Sequence, residues 1–153
     1  MRAPDLEVIV EIARPPAEVR AWWLEMPPDY RASDPKEQPH RIRTLRRDEA
    51  GWECDTYWRM PLGREVVIRE TFAFRPDGWD VDLRLPAGLR QRDEFVLAPT
   101  AAGTRVRVRV WIEAPSFRAR LARPFMMRYA RRQYPATWRA AAKLCERDAP
   151  RLG

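Results

Sequence analysis

The chain has 153 residues, of which 45% are hydrophobic and 33% are charged, and its formal net charge is +7. This composition is typical of a globular protein and excludes extended disorder, and the length predicts a single domain over residues 1–153. Charge-free runs are far shorter than the roughly 20 residues that span a bilayer, so we expect neither a transmembrane segment nor a signal peptide. We therefore expect a cytoplasmic protein in which Cys54 and Cys145 are buried free thiols.

The first elements are an alternating segment and a short helix. Residues 6–14 place apolar side chains on one face with period two, which predicts a β-strand. Pro16 favours a helix start because proline is tolerated in the first helical turn. The predicted helix covers residues 17–26 and carries Trp22 and Trp23 on its apolar side.

Turn signals rich in glycine and proline recur every 11 to 14 residues through the middle of the chain. The stretches between them alternate with period two, as in the segment that contains Val106, Val108 and Val110. Short turns of this kind predict consecutive hairpins and an antiparallel sheet. The six strands are predicted at residues 40–47, 52–60, 65–74, 79–85, 91–98 and 104–113.

A long helix is predicted over residues 117–148, with Ser116 as its N-cap. Pro135 lies inside it and is expected to kink or split it. Two apolar stripes with helical spacing are expected to pack on the sheet. They consist of Phe117, Leu121, Phe125 and Tyr129, and of Tyr134, Trp138, Ala141 and Cys145.

The order of these elements resembles the helix-grip fold of the START-like superfamily, also called SRPBCC or polyketide cyclase/dehydrase. The opening of that superfamily is similar to residues 8–23, where an alternating strand leads through Pro15-Pro16 into a helix with two tryptophans. Its late strand–turn–strand signature is similar to residues 95–106, with Pro99 and the Gly103-Thr104 turn. The likeness covers nearly the whole chain and rests on order and spacing, with no catalytic motif.

The resemblance implies an α+β fold in which a curved antiparallel sheet of about seven strands wraps on the C-terminal helix, with short helices after the first strand. It also implies a cavity between sheet and helix that binds a hydrophobic or amphipathic molecule, such as a lipid, an isoprenoid or quinone, or an aromatic polyketide. Neither cysteine has a His or Cys neighbour at metal-ligand spacing, so we expect no metal and no organic cofactor.

Two carboxylates, Glu70 and Asp93, fall on strand faces that alternation assigns to the interior. A buried carboxylate suits acid–base chemistry or ligand anchoring, because burial raises its pKa. The alternative is a structural ion pair with an interior arginine, and Asp93 is also expected near solvent at a strand start. Tyr30 and His40 could assist a reaction from the cavity mouth, although packing or exposure is the simpler role.

We assign no catalytic residue. The predicted cavity has aromatic and aliphatic walls, with Glu70 as its principal polar group. The residues predicted to bind the ligand are Trp58, Ile68, Glu70, Phe72, Asp93, Phe95, Met127 and Tyr134.

The first half of the C-terminal helix is rich in arginine, methionine and aromatic residues. Its apolar side chains could form an adaptable lid, although core packing is the default. The arginines are expected to form a solvated outer face that could meet phospholipid headgroups or ribosomal RNA. Because basic residues are dispersed along the chain, nucleic-acid binding is not our expectation. The residues concerned are Phe125, Met126, Met127 and Tyr129 for the lid, and Arg118, Arg120, Arg123, Arg128, Arg131 and Arg132 for the outer face.

The leading hypothesis is therefore a ligand-binding protein of the START-like type. One alternative is an enzyme of polyketide cyclase or hydratase type that uses Glu70 or Asp93, and another is an interaction module that engages RNA, a ribosome or a protein partner through the arginine-rich helix. The sequence leaves the oligomeric state open.

Overall fold

The computed structural model describes residues 2–25, 41–59 and 63–148. This part of the chain forms seven β-strands, two α-helices and a 3-10 turn at Pro86–Gly88. The predicted α+β class and element order are confirmed, and a second short helix after the first strand would fall in residues 26–40, outside the described residues. The elements are β1 (Leu6–Ile12), α1 (Pro16–Glu25), β2 (Arg41–Arg47), β3 (Gly51–Arg59), β4 (Glu65–Arg75), β5 (Gly78–Arg84), β6 (Arg90–Thr100), β7 (Gly103–Glu113) and α2 (Phe117–Asp148).

The strands form one antiparallel sheet with the order β1-β7-β6-β5-β4-β3-β2. Strands β2 to β7 each pair with the next strand in the chain, and β1 lies at the far edge, where it pairs with β7. At the start of β5 the partner strand approaches so closely that a Cβ on Gly78 would lie 1.8 Å from the carbonyl oxygen of Phe95. A side chain at this position would push the strands apart, so glycine permits the pairing in which Trp79 lies opposite Phe95.

One face of the sheet forms the core together with both helices. Alternate residues of β1, β6 and β7 are buried, including Val8, Phe95 and Val108, while their neighbours are more exposed. Helix α1 inserts Trp22 and Trp23, both almost fully buried. Cys54 and Cys145 are buried free thiols, as predicted.

Helix α2 begins as predicted, with the Ser116 hydroxyl oxygen accepting a hydrogen bond of 3.1 Å from the Ala119 amide. Of the predicted kink or split at Pro135, the split is wrong, because α2 runs unbroken over 32 residues with Pro124 and Pro135 inside it. Each proline only removes one N–H from the helical ladder, and packing against β1, β7, α1 and the 3-10 turn holds the helix together.

The first apolar stripe of α2 does not pack on the sheet, contrary to the sequence expectation. Phe117 is 74% exposed, Leu121 61% and Phe125 78%. The buried side of this half of the helix is formed by small and flexible residues, namely Ala119, Met127 and Ala130. In the second half, the predicted stripe is buried at Trp138, Ala141 and Cys145, and Tyr134 is half-buried.

Candidate functional site

Four aromatic rings, each from a different element, meet between the sheet and the two helices. Phe95 of β6 stacks on Trp79 of β5, with ring centroids 5.1 Å apart and planes 18° from parallel. Trp138 of α2 meets Phe95 edge-on at 5.5 Å, and Trp23 of α1 lies 6.0 Å from it. These spacings and angles are those of favourable aromatic pairs, so the cluster ties both helices to the centre of the sheet.

A small cavity of about 40 Å³ borders this cluster. Its volume suits one or two water molecules and is much smaller than the space that a drug-sized ligand fills. The lining combines aromatic walls with four polar side chains. The lining residues are Trp23, Glu70, Phe72, Trp79, Val81, Leu83, Gln91, Asp93, Phe95, Tyr134 and Trp138.

A polar chain runs from α2 to β6 along the cavity wall. The Tyr134 hydroxyl donates to Gln91 Oε1 at 3.0 Å, and Gln91 Nε2 donates to Asp93 Oδ1 at 2.9 Å. The amide is oriented this way because Nε2, as a donor, suits the Asp93 carboxylate. The Tyr134 hydroxyl therefore donates its proton to Gln91, and this bond links α2 to β6.

The second carboxylate enters the cavity from β4. Glu70 is 6% exposed, and its Oε2 lies 3.8 Å from the Cys54 Sγ on the neighbouring strand β3. Burial, followed by the charge of Glu70, raises the pKa of the Cys54 thiol far above its usual range. The thiol thus stays protonated and donates its hydrogen to Glu70.

Three tryptophans that line the cavity have buried indole N–H groups for which the described residues supply no acceptor. Among the described residues, no hydrogen-bond partner reaches the Nε1 atoms of Trp23, Trp79 and Trp138. Each of these residues lines the cavity. Buried donors are costly when unpaired, so this wall is suited to acceptor oxygens supplied from outside the protein, by water or by a ligand.

Five of the eight residues predicted to bind a ligand line the cavity, namely Glu70, Phe72, Asp93, Phe95 and Tyr134. Asp93 is 5% exposed, so the expectation that it lies near solvent is wrong. Although Asp93 follows the strand start by three residues, β6 is paired on both sides at that point, with Val81 and Val110.

Trp58, Ile68 and Met127 are not among the lining residues. Trp58 lies near the C-terminal end of β3, and Ile68 lies in the N-terminal half of β4. The Trp58 indole donates to Thr56 Oγ1 of its own strand at 3.0 Å. Met127 lines a surface groove on α2 instead. Tyr30 and His40 lie outside the described residues.

Sequence reasoning did not select Trp23, Trp79, Trp138 or Gln91 as site residues, although signals for them were present. The tryptophans lie on predicted apolar faces. Gln91 has the same alternation phase as Asp93 and Phe95, which indicated an inward side chain. A neutral amide attracts less attention than a carboxylate, yet here it joins Tyr134 to Asp93.

Over the described residues, no group of three or more His, Cys, Asp or Glu side chains is placed to hold a metal ion. Nor does this part of the chain contain a helix long and apolar enough to cross a membrane.

Comparison with known proteins gives a likeness in structure alone. No family model matches the chain, and neither does any curated protein. Among solved structures, the di-domain ARO/CYC StfQ from the steffimycin biosynthetic pathway superposes over 95% of this chain with a TM-score of 0.71 and 17% identity. Ara h 8.0201 superposes over 92% of the chain and 95% of its own length, with a TM-score of 0.62 and 13% identity. This is the helix-grip fold.

A second di-domain protein shares the helix-grip fold with this chain. BexL, an ARO/CYC from the BE-7585A biosynthetic pathway, covers 94% of the chain with a TM-score of 0.60 and 14% identity. The chain spans about half the length of StfQ and BexL, at 50% and 49%. The predicted helix-grip architecture of seven antiparallel strands and a long C-terminal helix is thus confirmed.

Proposed function

We propose that this chain binds a planar aromatic molecule bearing carbonyl or hydroxyl oxygens in the cavity between the sheet and α2. The observation that carries the proposal is the set of three buried indole donors among the residues that line one cavity, namely Trp23, Trp79 and Trp138. An oxygen-bearing aromatic ligand satisfies both features at once. Its ring stacks on the wall, and its oxygens accept the indole hydrogen bonds.

The lining of the same cavity also supplies complementary groups. The Asp93 and Glu70 carboxyls can accept hydrogen bonds from ligand hydroxyls, as can the lone pairs of the Tyr134 oxygen. A purely aliphatic chain would leave the indole donors unpaired, which disfavours fatty acids and saturated isoprenoids. The names of StfQ and BexL, ARO/CYC proteins of biosynthetic pathways, support a ligand of the polyketide class.

Binding requires the cavity to widen beyond its 40 Å³. The side chains that close it from above, Tyr134 and Trp138, both belong to α2, while the sheet beneath is fixed by its hydrogen-bonded ladder. Tilting of α2, or rotation of these two side chains, is therefore the movement that admits a ligand. In this proposal one ligand-binding domain occupies residues 1–153 and works in the cytoplasm.

A titration with alizarin, a hydroxylated anthraquinone, tests the proposal. We expect saturable one-to-one binding with quenching of tryptophan fluorescence, because three tryptophans line the cavity. Replacing Tyr134→Phe removes one hydrogen-bonding group and should weaken binding about 5- to 10-fold. The matched control is Tyr57→Phe, since Tyr57 packs against the Arg41 guanidinium and is absent from the cavity lining.

Palmitate serves as the aliphatic comparison ligand. If palmitate binds more tightly than alizarin, the proposed ligand class is wrong. Equal losses in the Tyr134→Phe and Tyr57→Phe variants would instead place the bound alizarin elsewhere on the protein. Native mass spectrometry of protein purified from its own source would identify a retained ligand directly.

A second candidate function is catalysis, which two carboxylates in one apolar cavity favour. Glu70 and Asp93 enter from β4 and β6, on either side of β5, and both are buried, an environment that suits a general base. The reaction would begin by removing a proton from a carbon next to a carbonyl group, the first step of a cyclisation. Asp93 is held in place for this by Gln91 and Tyr134.

Solvent deuterium uptake into benzoylacetone, followed by NMR, tests for such a base. An active base should speed the exchange above that in buffer, and Glu70→Gln or Asp93→Asn should reduce the enzymatic rate roughly 100-fold. Glu53→Gln is the control, because Glu53 pairs with Arg69 instead of lining the cavity. Exchange no faster than in buffer would argue against catalysis while leaving ligand binding untouched.

A further inference from the structure

An exposed apolar ridge runs along the first half of α2. It consists of Phe117, Leu121, Phe125 and Tyr129, which follow one another at four-residue spacing and are all exposed. Over these 12 residues the helix rises about 18 Å. Exposed large apolar side chains that follow one line on a surface are typical of an interaction site, whereas single exposed ones are ordinary.

The ridge lies in a strongly basic segment. Eight basic residues and no acidic residue occur between Phe117 and Cys145. Arg118, Arg128 and Arg132 are exposed beside the ridge, and within the described residues none of them forms an ion pair. Arg128 and Arg132 also line a surface groove, together with Arg131 and with Arg123, which pairs with Asp5. Unpaired guanidinium groups next to apolar side chains complement a surface that offers both negative charges and an apolar phase.

We propose that this ridge docks the protein on a bilayer that contains anionic phospholipids. In the docked state α2 lies flat at the interface, with Phe117, Leu121 and Phe125 among the upper acyl chains and the arginines at the phosphates. This surface function is separate from the ligand-binding proposal. It agrees with the absence of a membrane-crossing helix from the described residues, because the helix would lie on the bilayer instead of spanning it.

Other occupants fit the ridge less well. A second copy of the chain would bring two basic segments face to face, and like charges repel. RNA would satisfy the arginines, but it offers no apolar phase for Leu121 at the centre of the ridge. Only a lipid surface provides acyl chains and phosphates within a few ångströms of each other.

The ridge also touches the wall of the cavity. Tyr129 meets Tyr134 edge-to-face, with ring centroids 6.1 Å apart. A docked α2 would therefore hold the cavity beside the lipid headgroups.

Vesicle flotation measures the docking. The chain should bind phosphatidylcholine vesicles that contain one quarter phosphatidylglycerol and should bind pure phosphatidylcholine at least about 10-fold more weakly. Two triple variants should each lose this binding. Charge reversal at Arg118→Glu, Arg128→Glu and Arg132→Glu should cost about 100-fold, since each basic residue near an anionic surface contributes several-fold. Removing the apolar side chains by Phe117→Ser, Leu121→Ser and Phe125→Ser should cost about 10-fold or more.

The matched control changes the net charge equally on another surface. Arg43, Arg84 and Arg90 are exposed residues of the sheet, and reversing all three to Glu gives the same total charge as the α2 triple. This control should keep vesicle binding within about 3-fold of the wild type. Circular dichroism and melting curves establish that each variant is folded.

A second measurement does not depend on the triple variants. Leu121→Cys labelled with an NBD fluorophore should show a blue-shifted emission when vesicles are added, because the probe enters the acyl region, whereas the same label at Glu49→Cys should not. Equal losses in the control and α2 triples, or an unshifted emission at position 121, would overturn the proposal. Salt-resistant binding to poly(U) without vesicle binding would replace it with an RNA interface.

Discussion

The two sides of α2 carry large side chains in opposite environments. On the inner side, Trp138 is buried among Trp23, Phe95 and Tyr134. On the outer side, Phe117 and Phe125 are both more than 70% exposed. Apolar burial stabilises a fold roughly in proportion to area, so the inner side chains hold the structure together and the outer ones contribute almost nothing to it. Their size and position therefore point to a role outside folding.

Arginines divide in the same way. Those on the outer face of the sheet that pair with acids include Arg69 with Asp55, Arg75 with Asp80 and Arg105 with Glu11. On α2 the arginine that faces the sheet, Arg123, is also paired, with Asp5. In the first half of α2, the outward arginines Arg118, Arg128 and Arg132 form no ion pair among the described residues, whereas Arg147 near the end of the helix pairs with Asp148. Arginines that join parts of the fold thus have a partner, which is a carboxylate or, as for Arg20, a pair of backbone carbonyl oxygens.

The strongest test of this division is removal of a large inner side chain. Trp138→Ala should lower the free energy of unfolding by about 3–5 kcal/mol, because it leaves a cavity at the junction of α1, α2 and β6. Urea unfolding measures this loss, provided that the dependence of the unfolding free energy on urea concentration (the m-value) is the same in the variant and the wild type. Phe125→Ala is the outer counterpart and should change stability by less than about 0.5 kcal/mol. Comparable losses in both variants would mean that the outer side is also part of the core.

The reactivity of a cysteine thiol should also differ between the inner and outer sides of α2. Burial, followed by the charge of Glu146, raises the pKa of the Cys145 thiol from 9.0 to about 12. At pH 8 its thiolate fraction is therefore roughly 1000-fold below that of an unshifted thiol, and iodoacetamide should label it at least that much more slowly than it labels the unfolded chain. A cysteine introduced by Leu121→Cys on the outer side should react at the ordinary rate. Rapid labelling of native Cys145 would show that the inner side opens readily.

The same shift makes stability depend on pH in the alkaline range. Between pH 9 and about 12 the unfolded thiol ionises while the folded thiol keeps its proton, so the free energy of unfolding falls as pH rises through this window. Cys145→Ala should show a shallower fall than the wild type.

Arginine pairing gives a smaller contrast. Arg123 donates to Asp5 Oδ1 at 2.8 Å and to the Ile112 carbonyl oxygen at 3.0 Å, and so joins α2 to β7 and the N-terminus. Arg123→Ala should cost about 1.5–3 kcal/mol, the usual value for hydrogen bonds of charged groups. Arg120→Ala, which removes an exposed arginine one turn away, should cost almost nothing in the same thermal melts. Equal shifts in melting temperature would remove the distinction between paired and unpaired arginines.

The smallest expected effect is at the start of α2. Ser116→Ala removes the acceptor of the Ala119 amide and should lower stability by about 1 kcal/mol, whereas Ser116→Asp should preserve it. Chemical denaturation of the three proteins provides the measurement. If Ser116→Ala and Ser116→Asp lower the free energy of unfolding equally, the N-cap does not stabilise the start of the helix. The packing of α2 against the sheet then depends on its inner side chains alone.

The sheet was predictable because each of its turns is specified by residues that are adjacent in the sequence. Glycine and proline clusters mark each hairpin, and alternation then assigns the faces, which placed Glu70 and Phe72 correctly on the inner side. The outward direction of the first α2 stripe was not predictable in this way. Helical spacing shows that Phe117, Leu121 and Phe125 share a side, but it does not say whether protein covers that side. The competing series of Ala119, Met127 and Ala130 decided the packing, because small residues let α2 approach the sheet.

The candidate site was harder to predict than the fold. Its polar chain depends on side chains of α2 and β6 that meet only in three dimensions, Tyr134 and Gln91. Trp58 and Ile68 were assigned to the correct face but to the wrong distance along their strands, because alternation carries no information on where a helix crosses a sheet.

Among the residues that the structure describes, strand β2 has β3 as its one neighbour and so forms an open edge of the sheet. An open edge offers free backbone donors and acceptors to any passing strand and is a common starting point for aggregation. Here that edge carries Arg41, Arg43, Arg46 and Arg47, and the register shifts between Thr44 and Arg46. An approaching copy would set these guanidinium groups against identical ones across an irregular ladder. The chain can thus leave its sheet open on this side without polymerising strand by strand.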